Sequence, residues 1–224
     1  MKYEEISAYK YNCSTCPTRC DGKTVPQFDF EKDLKFSEAI EDFAASYYNQ
    51  SFPWLRVQKT TREGYPDLEI RSAENNSLLC FIEIKGQART FMKIERVLPH
   101  SGLIPSETLA LNLSDLERYF TIHKQENRSI FIVWCLMHRP CITGTDPQTR
   151  KFWHQHISIL EQIRLADPKN HRRFRRASGM GDVVQGQHKG VVVNYHFSIT
   201  ELKKGLPQPD SFSQGPDPST PKTF

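Results

Sequence analysis

Hydrophobic and polar positions alternate in the second quarter of the chain and then give way to a longer apolar run. Leu68 and Ile70 are separated by charged residues, which is the period-two pattern of a half-buried strand. Residues 72–77 contain Ser, Glu and Asn and predict a turn. Residues 78–85 are apolar on both faces until Glu83, as expected for a strand that is covered on both sides. The pattern therefore predicts a β-hairpin.

The hairpin predicts a cluster of charged groups on one face. Cross-strand partners are equidistant from the turn, so Asp67 is expected opposite Glu83 or Lys85. Glu83 and Lys85 share a face because side chains alternate along a strand, while Ile84 points into the opposite layer. Unpaired charges in so apolar a run are costly, so a functional site explains them better than a surface ion pair. Hard oxygen ligands such as these carboxylates favour Mg²⁺ or Mn²⁺.

This constellation resembles the PD-(D/E)XK nuclease superfamily, whose members share the restriction-endonuclease-like fold. The order of elements supports the resemblance over residues 34–140. The matching motif positions are Pro66, Asp67, Glu83 and Lys85, with Gln87 just beyond them. The resemblance implies an α/β domain with a mixed central sheet flanked by helices, and Mg²⁺-dependent hydrolysis of phosphodiester bonds in DNA.

The resemblance also implies a role for each motif residue. Asp67, Glu83 and the backbone carbonyl of Ile84 are expected to hold the metal, which lowers the pKa of its bound water and neutralises developing charge. Lys85 is expected to orient that water or to stabilise the transition state. Gln87, just beyond the motif, is expected to belong to the same catalytic set.

In this family a further acid comes from the helix before the hairpin. Residues 37–48 have the periodicity of such a helix, and Ser37 is its candidate N-cap. Its apolar stripe consists of Phe36, Ile40, Phe43, Ala44 and Tyr47. Glu41 lies closer to this stripe than Glu38 does, and Asp42 points further out. Glu41 is therefore expected to support the metal or its water, and the other two acids to lie on a solvated face.

The remaining elements are predicted from capping and periodicity. Ser114-x-x-Glu117 has the form of a capping box, which would open a helix that continues through about His123. The β-branched and aromatic run at residues 130–137 predicts an interior strand. The order strand, helix, strand predicts that this strand lies parallel to a neighbour. A second helix is expected over residues 148–165.

Composition indicates one soluble domain with extensions, since 224 residues with a net charge of +4 are enough for one sizeable core. No apolar run is long enough to span a membrane, and the N-terminus lacks a signal-peptide pattern. A cytoplasmic protein, or one of an internal compartment in a eukaryotic host, is expected. The predicted organisation is a Cys-rich segment at 1–33, a nuclease core at 34–166, a basic extension at 167–204 with a strand over 191–199, and a disordered Pro-rich tail at 205–224.

Positive charge is concentrated after residue 168, where nine Lys or Arg residues face four acids. The densest group consists of Arg172, Arg173, Arg175 and Arg176, with Phe174 between them. Such a group can bind phosphates and stack on a splayed base, so DNA contact is expected here. A solvated basic helix end or loop is the alternative.

Three cysteines lie within eight residues near the N-terminus: Cys13, Cys16 and Cys20. In a reducing compartment this spacing favours metal-binding thiolates over disulfides. Tetrahedral Zn²⁺ needs a fourth ligand, for which Cys141 is the first candidate and His138 the second. A [4Fe–4S] cluster is less favoured, because nucleases of this superfamily that carry one have the reverse order of cysteines. Reduced thiols or one disulfide are the alternatives, and the two cysteines in apolar strands are expected in the core.

Three functions are compatible with these patterns. The first is a Mg²⁺-dependent DNA endonuclease of restriction, homing, repair or mobile-element type, for which a homodimer is compatible because cutting two strands often uses two active sites. The second is a non-catalytic DNA-binding or assembly subunit, against which the intact Asp67, Glu83 and Lys85 argue. The third is a protein-interaction module stapled by a metal, in which the acids and the lysine are structural.

Overall fold

A computed structural model of the protein describes residues 30–87, 90–137, 139–144, 146, 149–176, 183–184, 187–188 and 192–212. Within these residues the helices are α1 (Phe30–Ser51), α2 (Ile94–Val97), α3 (Leu113–Glu126), α4 (Pro140–Thr143) and α5 (Ile157–Leu165). The strands are β1 (Leu55–Lys59), β2 (Leu68–Ser72), β3 (Leu78–Gln87), β4 (Thr108–Asn112), β5 (Ser129–Leu136), β6 (Lys151–His156), β7 (Arg173–Arg176), β8 (Val183–Val184), β9 (Gln187–His188), β10 (Val192–Ser198) and β11 (Lys203–Lys204).

A central sheet joins strands in the order β1-β2-β3-β5-β6-β11. Neighbouring strands are antiparallel except β3 and β5, which run parallel. Helix α3 lies in the connection between these two strands, because parallel neighbours need a crossover. The prediction of an α/β protein with a mixed central sheet flanked by helices is confirmed, and so is the parallel pairing of the strand after the crossover.

The central sheet is covered on both faces, which explains the apolar run before Glu83. Ile82 and Ile84 of β3 pack with Ile40 of α1 on one face, whereas Phe81 packs with α3 on the other. A second sheet, in the order β4-β10-β7, covers the α3 face as well. Full burial of each large apolar side chain contributes about 1.5–3 kcal/mol to folding. Strand β10 occupies the segment where the sequence predicted a strand.

The hairpin predicted from hydrophobic alternation is confirmed. Strands β2 and β3 pair antiparallel, and the N–H of Ser72 donates to the carbonyl of Ser77 at 2.9 Å across the turn. Asn76 adopts a φ of 57°, a left-handed conformation that Asn tolerates better than most residues. The Ser- and Asn-rich composition of the turn therefore has a direct conformational cause.

The helix predicted over residues 148–165 is wrong in its first half. Lys151–His156 forms β6, which pairs antiparallel with β5, and only Ile157–Leu165 is helical. The hydrophobic spacing fitted a helix, but β5 needs a partner for the backbone groups along its second edge. At the junction the side chain of His156 accepts a hydrogen bond from the N–H of Ser158 and caps α5.

Two predicted helix starts are also wrong. Ser37 lies inside α1, which begins at Phe30. Ser114 lies inside α3, which begins one residue earlier at Leu113, so the predicted capping box does not open this helix. The helix continues past the predicted end to Glu126, where the next residue adopts a left-handed φ of 49°.

The buried stripe of α1 also differs from the prediction near the middle of the helix. Phe43 was expected to be buried but is 48% exposed, and its ring stacks on Phe152 with 5.5 Å between centroids. Tyr48, outside the predicted stripe, is fully buried. Its hydroxyl donates to the carbonyl of Pro207 at 2.7 Å, so the segment after β11 decides which face of the helix is covered.

The predicted disordered tail begins too early. Leu206 and Phe212 are buried in the cluster that joins α1 to the central sheet. Burial of these apolar side chains offsets the entropy lost when the segment is fixed. Residues 213–224 lie outside the described part of the chain, so the prediction for them stays a prediction.

Candidate functional site

The hairpin brings Asp67 beside Glu83. Leu68 pairs with Ile82, and the next pair in the same register is Asp67 and Glu83. A shift of one residue nearer the turn produces this register, since without it Asp67 would face Ile82. Of the two alternatives that the sequence left open for the partner of Asp67, Glu83 is therefore favoured over Lys85.

The carboxylate of Asp67 is fixed by the backbone of β3. The N–H of Ile84 donates to Asp67 Oδ2 at 2.7 Å. The N–H and C=O of one strand residue point to the same side of the strand, so the carbonyl of Ile84 is directed to this edge as well. The ladder between β2 and β3 ends at Leu68 and Ile82, before it reaches Ile84. The carboxylate and the carbonyl are thus directed to one edge of β3.

Glu83 is buried, and only one of its carboxylate oxygens contacts a cation. The side chain is 2% exposed, and Oε1 lies 2.5 Å from Nζ of Lys85. Glu83 Oε2 is buried and has no hydrogen-bond partner among the described residues. An unsatisfied buried oxygen of a carboxylate is costly, so this position fits a ligand that supplies positive charge.

The charges of the site shift the pKa values of its members in a consistent way. Burial raises the pKa of Asp67 to about 7, and the charges of Glu83 and Glu41 add to the shift, while Lys85 opposes it. Burial lowers the pKa of Lys85, but the carboxylates of Glu83, Asp115 and Asp67 raise it by more, so it ends above its usual value. Lys85 therefore stays protonated, and the acids exceed the cation that they share.

Helix α3 contributes residues that the sequence motif does not contain. Asp115 Oδ2 lies 3.9 Å from Lys85 Nζ, and Asp115 Oδ1 accepts a hydrogen bond from Arg118 at 2.7 Å. Burial raises the pKa of the Tyr119 hydroxyl, and the charges of Glu83 and Asp115 raise it further. The one signal in the sequence is the i, i+3 spacing of Asp115 and Arg118, which is common on solvated helices and carries no functional information.

Glu41 is the most buried of the three acids considered on α1, as the sequence analysis expected. Its side chain is 17% exposed, against 68% for Asp42. The helix lies close to the site because Gly86 lets it approach: a Cβ there would come within 2.6 Å of the ring of Phe36. Glu41 Oε2 pairs with Lys59 at 3.3 Å, so a role as metal or water ligand stays a prediction.

Gln87 has a role that the motif did not indicate. Its Nε2 donates to the carbonyl of Thr108 at 3.1 Å, and its Oε1 accepts from the N–H of Ala110 at 3.1 Å. The amide therefore binds the backbone of β4 at two points, as a neighbouring strand would. This contact joins the end of β3 to the second sheet, and a direct catalytic role for Gln87 stays a prediction.

The donor set can be compared with the needs of the expected metal. Among the residues that the structure describes, no three His, Cys, Asp or Glu side chains form a group that could hold a metal ion. Mg²⁺, however, is usually held by one or two carboxylates and completes its shell with water and substrate phosphates. Asp67, Glu83 and the carbonyl of Ile84 fit that requirement. The unpartnered Oε2 of Glu83 is an acceptor that a divalent cation would satisfy, and the positive charge of such a cation would oppose the burial that raises the pKa of Asp67.

Three members of the basic cluster lie on an edge strand, and the first lies in the turn just before it. Its members are Arg172, Arg173, Arg175 and Arg176. Arg172 forms an ion pair with Glu201, whose carboxylate oxygens lie 2.7 and 2.8 Å from Nη1 of the arginine. Arg173 and Arg175 are exposed, and the side chain of the fourth arginine lies outside the described part. Exposed basic charge therefore remains at two of the four positions.

The ring between these arginines is used in packing. Phe174 is half-buried and packs against the small apolar cluster of Ile94, Leu98 and Leu103. Stacking of this ring on a nucleic-acid base would require it to leave that cluster. The expected role of the segment in DNA contact rests on its charge.

The predicted cysteine site falls largely outside the described residues. Cys13, Cys16 and Cys20 are in the N-terminal segment that the structure does not describe, and His138 also lies outside the described residues. Cys141 is half-buried and packs against the main core cluster. The zinc and iron–sulfur hypotheses therefore stay predictions. The two cysteines expected in the core, on β3 and β5, are fully buried.

Comparisons with known proteins add no second line of argument. Neither a protein-family model nor a curated protein matches this chain. Within the described ranges, no helix is long and apolar enough to cross a membrane. The geometry and electrostatics of the site are therefore what indicates a function.

Proposed function

We propose that the protein is a Mg²⁺-dependent DNA endonuclease of the PD-(D/E)XK type. The observation that carries the proposal is the convergence of Asp67, Glu83 and Lys85 with a buried carboxylate oxygen left unpartnered. In a structural ion cluster, each buried carboxylate oxygen is expected to have a hydrogen-bond or ion-pair partner. In a site that binds a cation, some of these oxygens lack a protein partner until the cation is bound.

The order of elements supports the same proposal. The chain runs helix α1, strands β1, β2 and β3, helix α3 and the parallel strand β5, with α2 and β4 inserted before α3. The resemblance in sequence predicted the order helix, hairpin, crossover and parallel strand. A restriction-endonuclease-like fold is the interpretation that accounts for both the order and the position of the acids.

Each residue of the site has a role in the proposed hydrolysis. Asp67, Glu83 and the carbonyl of Ile84 would hold Mg²⁺, which supplies a water of lowered pKa and a counter-charge for the phosphate. Lys85 is held between Glu83 and Asp115 in a protonated state, with its side chain 33% exposed. A protonated amine in this position can orient the attacking water and stabilise charge that develops on the phosphate oxygens.

The basic segment supports nucleic acid as the partner. Arg173 and Arg175 are exposed on an edge strand, where they can bind phosphates without regard to sequence. Replacing both by Gln should weaken DNA binding and reduce the slope of affinity against salt by about one for each lost phosphate contact. An unchanged slope would remove this segment from the proposed interface.

Plasmid cleavage tests the proposal directly. Asp67→Ala, Glu83→Ala and Lys85→Ala should each abolish cleavage in Mg²⁺, while binding to DNA in Ca²⁺ or EDTA survives. Glu117→Ala is the matched control, because Glu117 is an exposed acid on α3 with no described contact to the site. Retained turnover in any of the three site variants, or no Mg²⁺-dependent cleavage by the wild type, would contradict the proposal. A non-catalytic DNA-binding subunit would bind DNA without cleaving it.

The N-terminal cysteines remain part of the proposal as a separate metal centre. Elemental analysis of the full-length protein should find zinc bound, with iron as the less favoured result. Cys13→Ser together with Cys16→Ser should remove that metal. The Mg²⁺ dependence of cleavage should survive this change, because the two centres use different ligands.

A further inference from the structure

We propose that Arg118 is a positioning residue of the candidate site. It holds the segment that carries Asp67 in place against α3 and Lys85. The inference rests on the proposed function for the reaction that it serves, but its geometry is independent of that reaction. Arg118 lies on the helix that follows the motif and touches none of the expected metal ligands in the described contacts.

The contact between Arg118 and the Asp67 segment is specific. Arg118 Nε donates to the carbonyl of Gly64 at 2.7 Å, three residues before Asp67. Gly64 has a φ of +79°, a backbone conformation that residues with a Cβ rarely adopt. A Cβ at this position would lie 3.4 Å from Cδ of Arg118, so the stem of the arginine packs directly on the turn.

The same guanidinium reaches the lysine of the site through one intermediate. Its Nη2 donates to Asp115 Oδ1 at 2.7 Å, and the other oxygen of Asp115 lies 3.9 Å from Lys85 Nζ. The planar fork of an arginine can make both contacts at once, which a lysine cannot. Arg118 therefore connects the Gly64 turn to Lys85 through Asp115.

The segment that carries Asp67 has other contacts besides this one. The N–H of Thr60 donates to the carbonyl of Asp67 at 2.8 Å, which closes the base of the loop. Arg62 and Tyr65 both bind Glu126, the last residue of α3. These contacts tie the loop to the end of the helix, whereas Arg118 binds the carbonyl of Gly64 from the part of α3 that also carries Asp115.

The hydrogen bond from Ile84 to Asp67 provides a readout that does not need activity. The N–H of Ile84 donates to Asp67 Oδ2, so its exchange with solvent reports whether Asp67 keeps its place. In Arg118→Met, exchange of this amide should be about five- to tenfold faster. Arg118→Lys should fall between Arg118→Met and the wild type, because it keeps the charge and loses the fork.

Cleavage kinetics provide the second readout. Arg118→Met should lower kcat by about 10–100-fold, as loss of an outer partner of a metal site does, with KM for DNA nearly unchanged. Lys124→Met is the matched control: Lys124 lies on the same helix and pairs with Glu161 at 2.6 Å, away from the Gly64 turn. The control should leave both readouts at wild-type values.

A second variant keeps the test decisive if Arg118→Met does not fold. Gly64→Ala disturbs the same contact from the loop side, because the φ of +79° at this position strains any residue that has a Cβ. It should also accelerate exchange at Ile84. Unchanged exchange at Ile84 in a folded Arg118→Met or Gly64→Ala variant would overturn the inference. If the wild type does not cleave DNA, the proposed function fails, and the exchange measurement still decides the role of Arg118.

Discussion

Two clusters of charge lie two residues apart on the same segment, and they are built differently. At Glu69 the side chain is 6% exposed and contacts Arg71 at 2.7 Å and Arg62 at 3.5 Å. Arg62 also contacts Glu126 at 2.9 Å, so two carboxylates meet two guanidinium groups. At Asp67 the pattern is the opposite, since this acid and Glu83 share the single ammonium of the motif lysine.

The two clusters differ in how far their buried charges are paired. Paired charges such as those around Glu69 offset most of the cost of removing them from water. Around Asp67 the cost is only partly offset, because one oxygen of Glu83 has no described partner and the pKa of Asp67 is raised by burial. Arrangements that lower stability in this way are kept in proteins mainly at sites where they serve a chemical function.

The largest expected effect is on cleavage and separates the two clusters at once. Glu83→Gln keeps the shape of the side chain but removes a proposed metal ligand, so kcat should fall at least about a thousandfold. Glu69→Gln removes a buried carboxylate of similar size and should leave kcat near the wild-type value in folded protein. Single-turnover cleavage of a labelled duplex measures both. Equal losses in the two variants would mean that the surplus charge at Asp67 has no catalytic meaning.

Binding of Mg²⁺ without DNA should distinguish the clusters next. A ligand that binds only the folded state stabilises it by about 2.7 kcal/mol at a concentration of 100 times Kd. Urea unfolding with and without Mg²⁺ should show this gain in the wild type and in Glu69→Gln. Glu83→Gln should lose most of it. The same Mg²⁺-dependent gain in Glu83→Gln would place the cation elsewhere.

The contrast between the clusters was only half visible in the sequence. Hydrophobic alternation and the Asn-rich turn predicted the hairpin, and alternation predicted that Glu83 and Lys85 share a face. These are local properties, set by the period of a strand. The acid nearest the site on α1 was also predicted, because distance from a helical stripe is local as well.

What the sequence did not predict depends on how elements pack at long range. Asp115 and Arg118 join the site because α3 crosses one face of β3, and no pattern in α3 specifies that crossing. Residues 148–165 fitted a helical period, yet the open edge of β5 drew Lys151–His156 into the sheet. Leu206 shows the same limit, since its burial requires a groove formed by distant residues.

The order of the two variants should reverse for stability: Glu69→Gln should lower the free energy of unfolding more than Glu83→Gln does. Glu69→Gln leaves Arg71 without its carboxylate and Arg62 with Glu126 alone, and should lower the free energy of unfolding by about 2 kcal/mol, below the value for fully buried pairs because both arginines are partly exposed. Glu83→Gln in metal-free protein should change it by less than about 1 kcal/mol, since repulsion with Asp67 is relieved as the contact with Lys85 weakens. Urea unfolding in EDTA measures both, and a larger loss in Glu83→Gln would reverse the interpretation of the two clusters.

The smallest expected effect is the dependence of stability on pH in the absence of metal. The pKa of Asp67 is raised from 3.8 to about 7 in the folded protein, so between these values the folded state binds more protons than the unfolded state. Stability contributed by the protonated group is therefore present at low pH and is lost as pH rises through about 7. Subtracting the curve of Asp67→Asn from that of the wild type isolates this group, because the other carboxyls titrate in both proteins. The difference should change by about 1–2 kcal/mol between about pH 4 and pH 8, less than the full shift implies because Asp67 is only half-buried. Parallel curves would mean that the pKa of Asp67 is not raised in the folded protein, and the distinction between the two clusters would be lost.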